Sequence, residues 1–169
     1  MPISKATLAD AAELTALINS AYRGESSQKG WTSEAHMLDG IRIDAPTLEE
    51  YLQDPKITML KYTNDAGQVI GSVYLELRKE RLYLGMLTVS PLAQTNGIGR
   101  QLLHEAEKVA HELKCRIIFM TVIATRLELI QWYERRGYIA TGEILPFPTD
   151  NKFGTPNRHI ELAVFEKEV

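Results

Sequence analysis

Cysteine is nearly missing from this chain: its one copy in 169 residues, Cys115, has no partner for an internal disulfide. Basic residues are not in excess either. Nineteen Lys and Arg stand against twenty-two Asp and Glu, a net charge of −3, so the chain offers no broad positive surface for a phosphate backbone. Nucleic acid is therefore not the expected partner. No apolar run approaches the ~20 residues of a membrane span. The longest, Ile117 to Ala124, carries Thr121 inside it, so a membrane is not expected as a partner. The opening MPISKATLADAAEL lacks the basic start and unbroken apolar stretch of an export signal, which makes the cytoplasm the expected location. No Gly-Lys-Ser or Gly-Lys-Thr occurs, which disfavours nucleoside-triphosphate chemistry. Internal repeats and low-complexity segments are also missing. What remains, 44% hydrophobic and 24% charged residues, is the make-up of an ordinary globular protein, read as one domain over residues 1–169.

Pattern along the chain gives the order of elements. Ile3 to Ala6 reads as a short strand, and Thr7-x-x-Asp10 as a capping box opening a helix whose Leu14, Leu17, Ile18 and Ala21 share a face. Gly24 to Gly40 is rich in loop residues around Trp31, with a short helical turn at His36 to Leu38. Thr47-x-x-Glu50 suggests a second cap, for a helix that Pro55 must end. Ile57 to Tyr62 and Val69 to Leu77 flank Asn64-Asp65-Ala66-Gly67, an antiparallel hairpin, and Leu82 to Val89 follows a polar corner at Arg78 to Arg81. A helix with Leu102, Leu103, Ala106, Val109, Ala110 and Leu113 on one side leads to Ile117 to Ile123, apolar throughout as a strand covered on both faces. Strand, helix and strand make one right-handed crossover, hence one parallel pair. A helix from about Arg126 to Arg136 closes at Gly137, and strands at Tyr138 to Leu145 and His159 to Phe165 complete a mixed α/β sheet, mostly antiparallel.

Two segments carry chemistry. Gln94-Thr95-Asn96-Gly97-Ile98-Gly99-Arg100 joins a strand to the first turn of a helix, where backbone N–H groups lack partners and attract anions. Gly97 and Gly99 let a ligand approach the main chain, and Arg100 adds a positive charge. The same turn can equally need glycine for geometry alone. A dinucleotide fingerprint would need a third glycine where Leu102 stands. The run Val89-Ser90-Pro91-x-x-Gln94-x-x-Gly97-x-Gly99-Arg100-x-Leu102-Leu103 resembles the central motif of the GNAT N-acetyltransferases. Trp132-Tyr133-Glu134-Arg135-Arg136-Gly137-Tyr138 is similar to the family's aromatic-Tyr-Glu-x-x-Gly-aromatic segment, in the expected order with one strand between them.

The resemblance implies a sheet whose central parallel strands splay apart, helices on both faces, and acetyl-CoA lying in the opening. It implies that the backbone of Leu87, Thr88 and Val89 pairs with the pantetheine arm, and that amides of Gln94, Thr95, Asn96, Gly97, Ile98, Gly99 and Arg100 bind the pyrophosphate. It also implies that Tyr133 is the general acid that protonates the departing thiolate, although a tyrosine here can equally pack a core. Many relatives carry Asn where this chain has Arg126, a residue able to reach a phosphate or carbonyl instead. Glu76, with Tyr83 near it, is the candidate base, used directly or through water; an acceptor amine of low pKa needs none. Acceptor contacts are expected from Arg23, Trp31, Glu34 and Arg42, with surface charge or core packing the competing account of that set, and from Tyr83. His104 and His111, seven apart on one helix, are too distant to share a metal ion, and no metal is expected. Cys115 reads as a small packed residue. The expected reaction is direct attack by a primary amine, that of a small molecule, on acetyl-CoA in a ternary complex. Acetylation of a peptide or protein amine and a non-catalytic acyl-CoA sensor are the alternatives, and a homodimer is the common assembly for such a chain.

Overall fold

The computed structural model describes residues 2–22, 38, 39, 42–93, 97–148, 155, 156 and 159–169. Strand β1 (Ile3–Lys5) leads through a 3-10 turn (Leu8–Asp10) into α1 (Ala11–Tyr22), followed by β2 (Leu38–Asp39) and α2 (Ala45–Gln53). Then come β3 (Ile57–Thr63), β4 (Val69–Arg78), β5 (Arg81–Val89), α3 (Ile98–Glu112), β6 (Ile117–Ile123), α4 (Leu127–Glu134), β7 (Ile139–Pro146), β8 (Thr155–Pro156) and β9 (Glu161–Glu168). Seven strands form one sheet in the order β1-β3-β4-β5-β6-β9-β7. All neighbours are antiparallel except β5 and β6, the parallel pair that the α3 crossover requires.

Both faces of the sheet are covered. On one, the apolar stripe of α3 (Ile98, Leu102, Leu103, Ala106, Val109, Ala110) packs with Val73, Leu75, Leu82, Leu84 and Ile118. On the other, Leu14, Leu17 and Ile18 of α1 and Leu48 of α2 pack with Met59, Tyr74 and Met86. Each fully buried Leu or Ile contributes roughly 1.5–3 kcal/mol of transfer free energy. The 3-10 turn is tied down at its start by the Thr7 N–H, which donates to Asp10 Oδ2 at 2.8 Å, and Lys61 Nζ on β3 reaches Asp10 Oδ1 at 2.9 Å.

Several local expectations shift. The cap of α2 is Asp44, whose Oδ1 accepts from the Thr47 N–H at 2.8 Å, and Pro46 occupies the first turn, where a missing N–H costs nothing. Leu38 lies in a strand rather than a helical turn, because a distant partner, Pro156, pairs with it in a second, two-stranded sheet. His36 and Met37 lie outside the described residues. Leu113 follows the end of α3 and is exposed instead of lining its buried face. Helix α4 is one turn shorter than its apolar pattern, Arg135 to Gly137 forming the closing turn with Gly137 at a φ of 96°.

Candidate active site

The centre of the sheet is where the pairing fails. Between β5 and β6 the ladder consists of Leu82↔Ile118 and Tyr83↔Phe119, although β5 continues to Val89 and β6 to Ile123. The cause lies on the other side of β5. Against β4 the register runs Tyr74↔Gly85 and then Ser72↔Thr88, so two steps on β4 oppose three on β5: a β-bulge. Met86 sits in it with a φ of 47°, and the buried Thr88 hydroxyl donates to the Met86 carbonyl at 2.8 Å. The extra residue resets the alternation of the strand. Leu82 and Leu84 belong to the α3 side of the core, Met86 to the α1 side, and Leu87 again to the α3 side. A bulge bends its strand, and β5 parts from β6 just where this one begins.

A cavity of about 240 Å³ fills the gap. Its walls are Leu84 to Leu87 of β5 and Met120 to Ile123 of β6, with Leu162 of β9 beside them. Tyr22 of α1, Tyr51 of α2, Arg42, Tyr74 and Tyr83 line it together with Arg126, Leu129 and Tyr133, and Arg78, its side chain half exposed, stands at the mouth. The tyrosines stack edge to face, Tyr51 to Tyr74 at 5.0 Å between centroids and Tyr74 to Tyr83 at 6.1 Å. Tyr22 donates its hydroxyl to the Leu87 carbonyl at 2.9 Å, tying α1 to the bulged strand.

Tyr133 is buried and lines the cavity. Desolvation pushes its phenol well above the ordinary value near 10, electrostatic repulsion from Tyr22 and Tyr138 adds to that, and Arg126 pulls the other way. Among the described residues nothing hydrogen-bonds its hydroxyl. Trp132, its neighbour on α4, lies edge to face with it at 5.1 Å and carries the Arg136 guanidinium 4.1 Å from its own ring. Arg126 is buried at the start of α4, its Nε 3.9 Å from Glu128 Oε1.

The glycine turn divides in two. Gly97 caps α3 with a φ of 71°, a conformation that L side chains resist. At Gly99, a Cβ would lie 3.3 Å from the Trp132 indole, so glycine lets the first turn of α3 pack closely on α4. Among the described residues nothing accepts from the N–H groups of Ile98, Gly99 or Arg100. These amides form the open end of a fifteen-residue helix, suited to an anion.

The structure therefore brings together, around one cavity, Tyr133, Leu87, Arg126, Tyr83 and Arg42, residues scattered over 92 positions of the sequence from 42 to 133. Thr88 and Val89 lie just beyond the lining, and Glu76 flanks the mouth without lining it, opposite Tyr83 in the ladder and with its Oε1 2.7 Å from Arg78 Nε. Arg23, Trp31, Glu34, Gln94, Thr95 and Asn96 lie outside the described residues. Tyr22, Tyr51, Tyr74 and Arg78 were not among the sequence candidates. Alternate spacing along β4 places Tyr74, Glu76 and Arg78 on one face, a signal that only the pairing of β4 with β5 turns into a site. Cys115 is buried, its thiol raised by desolvation, as befits a packed residue. Among the described residues no group of His, Cys, Asp and Glu is placed to hold a metal ion, and no helix is long and apolar enough to cross a membrane.

Residues 32–146 match the family described as acetyltransferase (GNAT) domain. No curated protein matches the sequence. Among solved structures, the ribosomal-protein-alanine N-acetyltransferase of Brucella melitensis is 23% identical over 100% of both chains, with a TM-score of 0.73. An acetyltransferase of the GNAT family from Streptococcus pneumoniae is 22% identical over 99% of this chain and 98% of its own, with a TM-score of 0.70. An acetyltransferase from Bacillus anthracis, solved in complex with acetyl coenzyme A, is 19% identical over 71% of this chain and 66% of its own, with a TM-score of 0.59. Likenesses at these identities establish the fold: a mixed sheet, mostly antiparallel, with one parallel pair and helices on both faces.

Proposed function

The chain belongs to the GNAT acetyltransferase family, and from that premise we propose that it transfers the acetyl group of acetyl-CoA to a primary amine of a small molecule, by direct attack in a ternary complex. The observation that carries this reading is the cleft that opens beyond Tyr83 and Phe119 with Tyr133 on its wall. A narrow slot between strands suits the slender pantetheine arm, and the open amides of α3 suit the pyrophosphate without any basic surface. Leu87, Thr88 and Val89 would supply strand edge to the arm, although the Leu87 carbonyl already accepts from Tyr22. Gln94 to Arg100 would cradle the phosphates, and Arg126 would face the thioester end from the start of α4.

In the reaction the amine nitrogen bonds to the acetyl carbon, the C–S bond breaks, the nitrogen gives up a proton and the sulfur takes one. Tyr133 is the proposed donor of that last proton, since a phenol kept neutral by burial can protonate a thiolate and then recover its proton from solvent. Backbone N–H on the bulged strand would stabilise the carbonyl oxygen. Glu76, beside the lining and paired with Arg78, would accept the amine's proton through water. Incubation with acetyl-CoA and panels of small amines and of peptides, reading free thiol, tests the proposal. Thiol release with small amines is expected. Release with peptides alone would select the protein-amine alternative, and binding of acetyl-CoA without release on either panel would select the sensor.

A further inference from the structure

We infer that the mouth of the cavity is an anion subsite, in which Arg42 and Arg78 hold a carboxylate carried by the amine acceptor; the acceptor is then an amino acid or a close analogue, with its side chain against the tyrosines. The inference rests on the donor reading above and adds the chemical class of the other substrate. The first observation is a local reversal of charge. The chain as a whole is acidic, at −3, yet the described lining contains Arg42, Arg78 and Arg126 and no Asp or Glu, the carboxylates of Glu76 and Glu128 standing behind Arg78 and Arg126 at 2.7 and 3.9 Å. The donor does not account for this. The pantetheine arm and thioester are uncharged, and the phosphates of coenzyme A belong at the far end, on α3. Positive charge concentrated in a small cleft with apolar walls focuses the field on whatever anion enters it.

The second observation is that Arg42 and Arg78 are both held from behind. Asn19 of α1 fixes the backbone at Arg42: its Oδ1 accepts from the N–H groups of Arg42 and Ile43 at 2.7 and 3.1 Å, and its Nδ2 donates to the Ile43 carbonyl at 2.8 Å. The Arg42 guanidinium then lies 5.4 Å from the Tyr22 ring. Arg78 stacks on Tyr83 at 4.0 Å and is steered by Glu76 through Nε alone. Among the described residues nothing hydrogen-bonds its two terminal nitrogens, the pair that grips a carboxylate in fork geometry. Glu76 serves in this arrangement as the counter-charge that sets the angle of the fork.

The test pairs common α-amino acids with their own carboxamides, in the unaltered protein and in Arg78→Met, Arg78→Lys and Arg42→Met, with two readouts. Thiol release should favour the acids over the amides by about 10- to 100-fold in kcat/KM, most of it in KM. Arg78→Met and Arg42→Met should each erase most of that ratio, and Arg78→Lys should retain part of it. In calorimetric titration with coenzyme A present, the acids should bind and the amides should bind at least tenfold more weakly. Equal or better use of the amides, acetylation confined to peptides with uncharged first residues, or an acid preference that survives both Met variants would overturn the subsite. Binding of acetyl-CoA to the unaltered protein, measured separately, shows in each of these cases that the donor reading still stands; its absence removes both.

Discussion

At the scale of single residues the active-site proposal turns on Tyr133. Its burial serves both a packed core and a general acid, and the two accounts differ in what removing one oxygen does. Tyr133→Phe keeps the ring contacts with Trp132 and Tyr138, at 5.1 and 5.8 Å. A packing residue would lose nothing in rate. A proton donor should cost about 10²-fold or more in kcat, with acetyl-CoA affinity changed by no more than about twofold. The sign of the pH dependence follows from the same burial. An acid works while protonated, and desolvation holds this phenol protonated past its ordinary value near 10. The wild-type kcat profile should therefore show no alkaline decline below pH 10, and stopped-assay rates from neutrality upward check it. Sequence alone could nominate Tyr133 from its motif, and Arg42, Arg126 and Tyr83 from charge and neighbourhood. It could not nominate Tyr22, Tyr51 or Tyr74, because nothing local distinguishes a tyrosine facing a cavity from one facing a core.

At the scale of elements, α3 was legible from its one buried face and clear period, and β6 from an unbroken apolar run. The two-residue strands β2 and β8 were not, since neither has a pattern long enough to show a period and each exists through the other. The bulge in β5 was also invisible. Leu-Gly-Met-Leu-Thr-Val reads as plain strand, and a methionine at a φ of 47° is tolerated only because Thr88 and the β4 register fix it there. The glycine turn shows why both readings of its sequence were open: Gly99 packs closely against Trp132, while among the described residues nothing accepts from the amides beside it.

One element junction makes a prediction of its own. Burial alone would raise the Asp10 carboxyl, but the Thr7 N–H and the Lys61 ammonium outweigh it and hold Asp10 below its ordinary 3.8. A carboxyl lowered in the folded state stabilises the fold above its unfolded value and loses that contribution as pH falls through the folded one. Asp10→Asn should then cost about 0.5–1 kcal/mol at neutral pH. The difference from wild type should shrink as pH falls below 3.8 and vanish once it has passed through the lower folded value. Urea midpoints across that range measure it.

For the whole molecule the parting of β5 from β6 is a structural cost with a consequence for stability. A sheet with a full central ladder would be better bonded. Here the two halves meet at Leu82↔Ile118 and Tyr83↔Phe119 and through the core on the α3 face, and beyond those pairs the ladder between β5 and β6 stays open. A ligand that supplies strand-like hydrogen bonds to β5 and caps the amides of α3 completes what the chain leaves open, and it does so only in the folded state. Acetyl-CoA at about 100 times its dissociation constant should add about 2.7 kcal/mol, which for a domain of this size is a rise in Tm of roughly 5–10 °C. Desulfo-coenzyme A should give most of this, since the grip lies in arm and phosphates, whereas inorganic pyrophosphate, meeting only the helix end, should give little. Gly99→Val provides the control at the scale of the fold. Its side chain would press on Trp132, 3.3 Å from the position of the new Cβ, and displace the first turn of α3, so the ligand-induced rise should shrink even after the lower starting Tm is taken into account. An unchanged rise in Gly99→Val, or none in wild type at millimolar acetyl-CoA, would separate the gap in the sheet from donor binding and leave the open ladder without a function.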